Sequence, residues 1–222
     1  TQNVIECAIS NSVETVIDIS TDKAVDPFNH YGVTKACAEK MIINASFNYV
    51  TRTKFVCIRG GNVLGTNGSV IPLFKKQIKE KNEITITDPN MTRYLMTTKE
   101  AIGLVFEAIE RAHGGEIFVM RMDAIKVDEI ANAMIALFGS ESTKKKIIGI
   151  RPGEKIDEVL VSRYEAPFTR ILNNKYYVVL PQKQNIELEA IYKEYPKMDT
   201  TEFNSKNAGQ LDSEGLLKKL KN

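Results

Sequence analysis

Apolar positions along the chain recur in alternation at helical and at strand spacing. Residues 1–11 read as an amphipathic helix with Val4, Ile5, Ala8 and Ile9 on one face, and residues 15–19 as a short buried strand. Residues 31–48 form a second predicted helix, with Ala36, Ala38, Met41, Ile42 and Ala45 among its apolar positions, and 55–58 a second strand. Helices alternating with short, continuously apolar strands are the pattern of a parallel sheet covered on both faces. The predicted fold class is therefore α/β with a doubly wound sheet.

Residues 59–69 carry Gly60, Gly61, Gly65 and Gly68, which interrupt any regular element and predict a loop. Helix resumes over 70–81, a brief strand follows at 84–87, and Asp88-Pro89-Asn90 makes a turn. Residues 98–112 predict a helix carrying Ile102, Val105, Phe106 and Ile109 inward, ended by Gly114-Gly115. A strand at 117–120 and a helix at 127–138 come next, the helix with Asp128 and Glu129 in its first turn, where they suit the helix dipole. Residues 147–150 predict a strand that runs into Arg151-Pro152-Gly153-Glu154-Lys155, with another helix from about residue 156. Extended pieces are expected at 170–172 and 176–180, a loose polar linker over 199–210, and a short helix at 213–220 aligning Leu216, Leu217 and Leu220. The chain has no internal repeat.

Composition narrows the function classes. At 222 residues, 43% hydrophobic and 26% charged, the chain is long enough for a real core. A net charge of +2 without a basic block argues against a nucleic-acid partner. Cys7, Cys37 and Cys57 lie inside apolar patterns without the paired spacing of a zinc site, so buried free thiols, a reducing compartment and no metal are expected. No apolar run reaches the roughly 20 residues of a membrane span, and no signal peptide opens the sequence. A cytoplasmic protein without membrane partners is the expectation.

Candidate chemistry concentrates between residues 17 and 40. A β-branched strand delivers Thr21, Asp22 and Lys23 to one strand end. Tyr31 follows ten residues after Thr21, and Lys35 four residues later, a spacing that puts phenol and ammonium on one helix face. A phenol, with an ordinary pKa of about 10, becomes a useful base near neutrality only when a nearby positive charge stabilises its phenolate, and Lys35 is placed for that. Thr21 can hydrogen-bond the same substrate hydroxyl, so the trio could take a proton from an alcohol while a nicotinamide takes the hydride. By spacing alone, Tyr31 and Lys35 more often describe an ordinary surface pair, and it is the strand end, the Thr21 hydroxyl and the loop containing Pro27 that favour a site; the glycines of 59–69 equally describe turns.

These residues resemble the extended short-chain dehydrogenase/reductase superfamily, whose Ser/Thr and Tyr-x-x-x-Lys signature matches Thr21, Tyr31 and Lys35. More narrowly, seven stretches are similar to the inverting UDP-N-acetylglucosamine 4,6-dehydratases. They are Ser20-Thr21-Asp22-Lys23-Ala24-Val25, Asn29, Gly32-Val33-Thr34-Lys35, Gly61-Asn62-Val63-Leu64-Gly65, Gly68-Ser69-Val70-Ile71-Pro72, Met91-Thr92-Arg93 and Arg151-Pro152-Gly153-Glu154-Lys155. The resemblance implies oxidation of the sugar at C4, loss of water across C5 and C6, and reduction at C6, with NADP as cofactor and UDP-N-acetylglucosamine as substrate. It implies that Asp22 assists loss of the C6 hydroxyl and that Lys23 acts at C5, reprotonation from the opposite face giving inversion. The sugar-retaining dehydratases are similar but carry Asp-Glu where this chain has Asp22-Lys23. Longer membrane-attached dehydratases and related 5-epimerases resemble this chain too, often with methionine where Tyr31 stands.

The resemblance further assigns Tyr31, Lys35, Arg59 and Asn62 to the cofactor, and Asn62, Val63, Val70, Pro72, Arg93, Arg151 and Glu154 to the nucleotide sugar. Forked guanidinium donors suit Arg93 and Arg151 to a diphosphate, and Glu154 could accept from ribose hydroxyls. Each of these charges, taken singly, also describes an ordinary surface residue.

The expected organisation is the C-terminal part of a doubly wound Rossmann-type sheet with catalytic residues at 1–68 and 88–122, a smaller α/β nucleotide-sugar-binding subdomain at 69–87 and 123–198, and a polar linker with a short helix at 199–222. A strand, glycine-rich turn and helix N-terminus suited to a pyrophosphate are not found in the sequence. The resemblance implies that a mononucleotide-binding half, on the order of 100 residues, is missing ahead of Thr1. Alone, this chain is expected neither to bind NADP tightly nor to turn over substrate, and the intact enzyme is expected to be a homo-oligomer. A UDP-sugar epimerase of the same superfamily and a silent UDP-sugar-binding module are the alternatives.

Overall fold

The computed structural model describes residues 1–182 and 185–221. In chain order the first elements are α1 (Gln2–Ser10), β1 (Thr15–Thr21), a 3-10 turn at Asp22–Ala24, α2 (His30–Asn48), β2 (Lys54–Gly60), β3 (Asn62–Val63) and α3 (Val70–Lys81). Next come β4 (Glu83–Ile86), β5 (Thr92–Met96), α4 (Thr98–Arg111), β6 (Ile117–Met120), β7 (Ala124–Lys126), α5 (Val127–Phe138) and β8 (Lys144–Ile147). The remainder is β9 (Val159–Val161), a 3-10 turn at Ala166–Phe168, β10 (Thr169–Leu172), β11 (Tyr176–Val179), α6 (Ile186–Ile191), β12 (Phe203–Asn204), β13 (Gln210–Leu211) and α7 (Ser213–Lys221).

These elements gather into two compact units. The first comprises Thr1–Gly60, Glu100–Arg121 and Val159–Asn204. Its sheet runs β1-β2-β6-β11-β10, the first three strands parallel and the last two antiparallel. Phe55, Val56, Cys57 and Ile58 of β2 and all four residues of β6 are buried, as a strand covered on both faces requires. Helix α2 packs on β1 and β2 and so overlies the strand ends that matter for chemistry. Its N-terminus is capped by Asn29, whose side chain accepts from the Gly32 amide at 2.8 Å.

The second unit comprises Gly61–Lys99, Met122–Glu158 and Ser205–Asn222. A sheet β13-β7-β5-β3 and a parallel pair β4-β8 are joined by a core of Phe74, Ile78, Ile84, Ile86, Leu95, Ile130, Met134 and Leu216, drawn from α3, α5, α7 and the strands.

Several expectations are corrected. Arg59 and Gly60 complete β2, and Asn62 and Val63 pair with Leu95 and Met96, so only the later part of 59–69 is loop. Gly60 stands at the end of β2 and Gly61 between β2 and β3, so no strand interior has to accommodate a glycine. The strand expected at 147–150 lies earlier: Lys144, Lys145 and Lys146 pair in parallel with β4, all three exposed although the Lys145 ammonium reaches Asp128 at 2.6 Å, and Gly149 takes a positive φ of 83°. Exposed lysines suit an edge strand but erase its apolar signal. No helix starts near residue 156, where Thr92 N instead donates to Ile156 O at 2.9 Å.

The pieces at 170–180 extend the main sheet, so residues 159–198 join the first unit and not the smaller subdomain, and the chain leaves that unit at Gly60. Residues 199–210 are no loose linker, since they contain β12, the start of β13 and a fully buried Ser205. In α4, Leu104 and Ala108 face the core while Ile102, Phe106 and Ile109 are exposed, because the helix carries two apolar rows and its pattern does not say which is used. Of the thiols only Cys57 is buried; Cys7 and Cys37 are exposed.

Candidate active site

Strand β1 stays extended through Thr21 and the chain then tightens into the turn at Asp22–Ala24, because the Thr21 hydroxyl accepts from the Lys23 amide. The same hydroxyl donates to Asp22 Oδ1 at 2.8 Å, and the Lys23 ammonium donates to that oxygen at 2.9 Å. Asp22 is wholly buried, and its second oxygen, Oδ2, has no hydrogen-bond partner among the described residues. A buried carboxylate oxygen left unpaired is costly.

Helix α2 brings the second part of the set. Tyr31 stands in its first turn and is 55% exposed. One turn on, the Lys35 ammonium donates to Ile19 O at 2.6 Å and lies 3.5 Å from Asp18 Oδ1. Lys35 is thereby tied to the C-terminal end of β1, the end at which open α/β sheets bind ligands. Hydrogen bonds thus gather Thr21, Asp22 and Lys23 directly, and Lys35 reaches the same strand from the row that carries Tyr31.

Arg59, expected at the cofactor, is enclosed within the first unit. Its guanidinium is 2% exposed and spends every N–H inside the first unit. Nε and Nη2 donate to the two Glu39 oxygens at 2.8 and 2.7 Å, Nη1 and Nη2 to Glu165 at 3.0 and 2.8 Å, and Nη1 also to Leu160 O at 3.1 Å. Burial alone would favour its neutral form, but Glu39 and Glu165 outweigh this and hold it charged. Burial pushes the Glu165 carboxyl up, yet the Arg59 charge and the donors of Arg59 and Ser162 bring it below the usual glutamate range. All five of its N–H donors are thus taken up inside the first unit.

The second unit holds the residues assigned to the nucleotide sugar. Asn62 and Val63 form β3, half-buried; Val70 opens α3 and packs on the core; Pro72 is exposed in the first turn of α3. Arg93 is mostly enclosed: Nη1 donates to Thr92 O and Ile156 O at 2.7 and 3.1 Å, Nη2 to Lys155 O at 3.0 Å, and Nε lies 3.8 Å from Glu158. It fastens the end of the Arg151–Lys155 turn to β5. Arg151 is exposed and sits 4.0 Å from Glu154, which also accepts from the Arg151 amide at 3.3 Å.

Four contributors lie outside the residues expected from the sequence. Asp18 is an acid in a β-branched strand that faces Lys35, Glu39 continues the row of Tyr31 and Lys35 at the same four-residue step, and Asp157 accepts from Thr92 at 2.6 Å. The spacing 31, 35, 39 was open to inspection. Glu165 had no local signal, since it meets Arg59 from 106 positions away.

The chemistry such a set can perform is proton transfer at a hydroxyl beside a strand end, with an acid and an amine next to it. A family model described as polysaccharide biosynthesis protein matches residues 1–180. Over 184 residues the chain is 39% identical to the inverting UDP-N-acetylglucosamine 4,6-dehydratase of Campylobacter jejuni, covering 81% of this chain and 53% of that protein. Over 178 residues it is 43% identical to a UDP-glucose 4-epimerase of Rickettsia bellii, covering 80% of this chain and 52% of that protein. The X-ray structure of Pen from Bacillus thuringiensis matches with a TM-score of 0.86 at 34% identity, over 99% of this chain and 65% of that one. The chain spans about half the length of the two curated relatives. Among the described residues no helix is long and apolar enough to cross a membrane, and no cluster of three or more His, Cys, Asp or Glu side chains could hold a metal.

Proposed function

The chain belongs to the polysaccharide biosynthesis protein family, and from that premise we propose that it supplies the catalytic and nucleotide-sugar-binding part of an inverting UDP-N-acetylglucosamine 4,6-dehydratase. The observation that carries the reading is the hydrogen-bonded set Thr21, Asp22 and Lys23 at the end of β1, with Lys35 anchored on Ile19 O beside it. An acid next to an amine is what elimination across two carbons needs beyond simple alcohol oxidation.

Thr21 and Tyr31 hold the C4 hydroxyl and Tyr31 takes its proton, while the Lys35 ammonium stabilises the phenolate. Asp22 takes the proton that Lys23 gives up and passes it to the C6 hydroxyl, which departs as water. Lys23 removes the C5 proton, for which it must first give up the proton it shares with Asp22. Arg151 and Glu154 take the diphosphate and ribose of UDP, and Arg93 keeps their turn in place. A nicotinamide dinucleotide, NADP by family likeness, supplies the hydride acceptor and donor when bound, and Tyr31 and Lys35 are the residues here suited to its nicotinamide side. The glycines of 60–68 follow a late strand at a spacing unlike that of a pyrophosphate-binding turn, and Gly60 belongs to β2.

The test is a chimera in which this chain replaces the matching segment of the Campylobacter enzyme. Conversion of UDP-N-acetylglucosamine to a 4-keto-6-deoxy product that has lost one water and is inverted at C5 is expected. A product of unchanged mass would instead favour a UDP-sugar epimerase, the reading that the likeness to the Rickettsia protein supports. UDP binding without turnover would favour a silent binding module. The isolated chain is expected to bind UDP and to leave the sugar unconverted.

A further inference from the structure

We propose that the buried cluster Glu39, Arg59 and Glu165 is a positioning device that sets how Tyr31 and Lys35 leave α2 and how the turn bearing Asp22 and Lys23 is backed. The proposal rests on the catalytic reading of those four residues but uses different atoms.

Tyr31, Lys35 and Glu39 follow each other at i, i+4 and i+8, so they form one row along α2. At the far end of that row Glu39 is gripped through both oxygens, at 2.8 and 2.7 Å, by a fork that is planar and cannot swivel about one bond. A helix held this way cannot roll about its axis, and the directions of Lys35 and Tyr31 are set with it. Arg59 is itself fixed, because it lies in β2 opposite Ser20 of β1 and Val119 of β6.

The other arm of the guanidinium reaches the far side of the set. Nη1 meets the carbonyl of Leu160 in β9, and Glu165 accepts from Nη1 and Nη2 while its Oε2 also takes the amide and hydroxyl of Ser162, at 3.0 and 2.9 Å. Strand β9 packs against the 3-10 turn that carries Asp22 and Lys23. One side chain therefore braces both groups of residues assigned to the reaction. Two buried carboxylates on one guanidinium cost heavily in desolvation, and an apolar cluster of similar volume would stabilise the fold as well or better. What the ionic version adds is direction, since hydrophobic contact lets a helix slide and a bidentate pair does not.

The test uses the full chain with labelled tyrosine rings and lysine ammonium groups, followed by NMR, with Tyr31→Phe and Lys35→Arg used to assign the signals. In Arg59→Lys, which keeps the charge and loses the fork, the Tyr31 ring and Lys35 ammonium signals are expected to move. Exchange of the Lys35 ammonium protons should accelerate on the order of tenfold, the scale of one lost charge-assisted hydrogen bond. Glu39→Gln, a neutral near-isostere, should do the same to a smaller degree, and it stands in if Arg59→Lys does not fold. Signals of Tyr31 and Lys35 that stay at their wild-type positions while the thermal midpoint falls would overturn the proposal and leave the cluster a stabilising ion group only. Neither sugar nor cofactor enters the measurement, so its failure and the failure of the dehydratase reading, tested by the chimera, are distinguishable.

Discussion

Gly32 of α2 lies directly against the backbone carbonyl oxygen of Lys23, closer than any side-chain carbon would tolerate. The first turn of the helix that carries Tyr31 is thereby pressed onto the turn that carries Asp22 and Lys23. A methyl group at position 32 would meet that carbonyl and Pro27 Cβ, neither of which is a flexible tip. Gly32→Ala is expected to lower stability by about 1–3 kcal/mol through overpacking. It should also abolish turnover in the chimera, because the two turns must part. Gly103 in α4 is the control, since a Cβ there meets nothing within 4 Å and its φ is not positive. Gly103→Ala should raise stability by roughly 0.5–1 kcal/mol as a helix-interior glycine replaced. Urea midpoints of the two variants, read with a common slope, check both statements.

Glu165 makes acid stability traceable to one place. Burial raises its pKa, and the Arg59 charge with the hydrogen bonds from Arg59 and Ser162 lowers it by more, so the net folded value lies below the ordinary 4.5. A depressed carboxyl contributes stability that is complete above its unfolded pKa and is lost as pH falls through the folded one. The wild type should therefore lose stability as pH drops below 4.5. Glu165→Gln should be less stable by about 1–3 kcal/mol at neutral pH, the cost of a weakened buried charged hydrogen bond. The gap between the two proteins should narrow on acidification. Chemical denaturation at a series of pH values reads this out, and a gap that widens in acid would contradict it.

How much of this was legible beforehand follows from the range of the interactions. The set Thr21, Asp22, Lys23, Tyr31 and Lys35 lies within 15 consecutive residues, and its placement follows from one strand, one turn and one helix, all of which have local signals. The surroundings of Arg59 have no local signal, because its partners Glu39 and Glu165 lie 20 and 106 positions away. Strand β8 has no apolar signal because Lys144, Lys145 and Lys146 occupy it; backbone pairing with β4 holds it, together with the Lys145 ammonium, which reaches Asp128 at 2.6 Å and Asn132 at 3.0 Å on α5. The stretch 199–210 looked loose because its anchor, Ser205, is a small polar residue. Its hydroxyl accepts from the Glu158 amide at 2.8 Å and shares a 2.5 Å hydrogen bond with Thr92, and none of this has a periodicity.

The thiols offer a check on the core. Burial, then the nearby charges of Glu39 and Asp18, push the Cys57 thiol well above the usual range, so at neutral pH it is protonated and enclosed. Cys7 and Cys37 are exposed on helix surfaces. Of the three cysteines, two should react promptly with an aromatic disulfide reagent in the native chain and the third only on unfolding. Prompt reaction of all three would place Cys57 outside the core.

Arg93 and Arg151 share the role the family likeness gives them but not their surroundings. Arg93 has a side chain only 14% exposed and spends its donors on the carbonyls of Thr92, Lys155 and Ile156, whereas the Arg151 side chain is 59% exposed. The exposed guanidinium can meet a diphosphate without breaking anything that holds the fold. Arg151→Gln should weaken UDP binding roughly tenfold, the scale of a lost charge-assisted contact, and flatten its salt dependence while the melting temperature stays put. Uridine, which lacks the diphosphate, should bind both proteins alike. Arg93→Gln frees the carbonyls at 155 and 156, so it should lower stability by about 1–3 kcal/mol and weaken UDP and uridine by the same factor, because the turn as a whole is displaced. Calorimetric titration of the full chain with the two ligands separates the roles. A loss at Arg93→Gln confined to UDP would make Arg93 a direct phosphate contact after all.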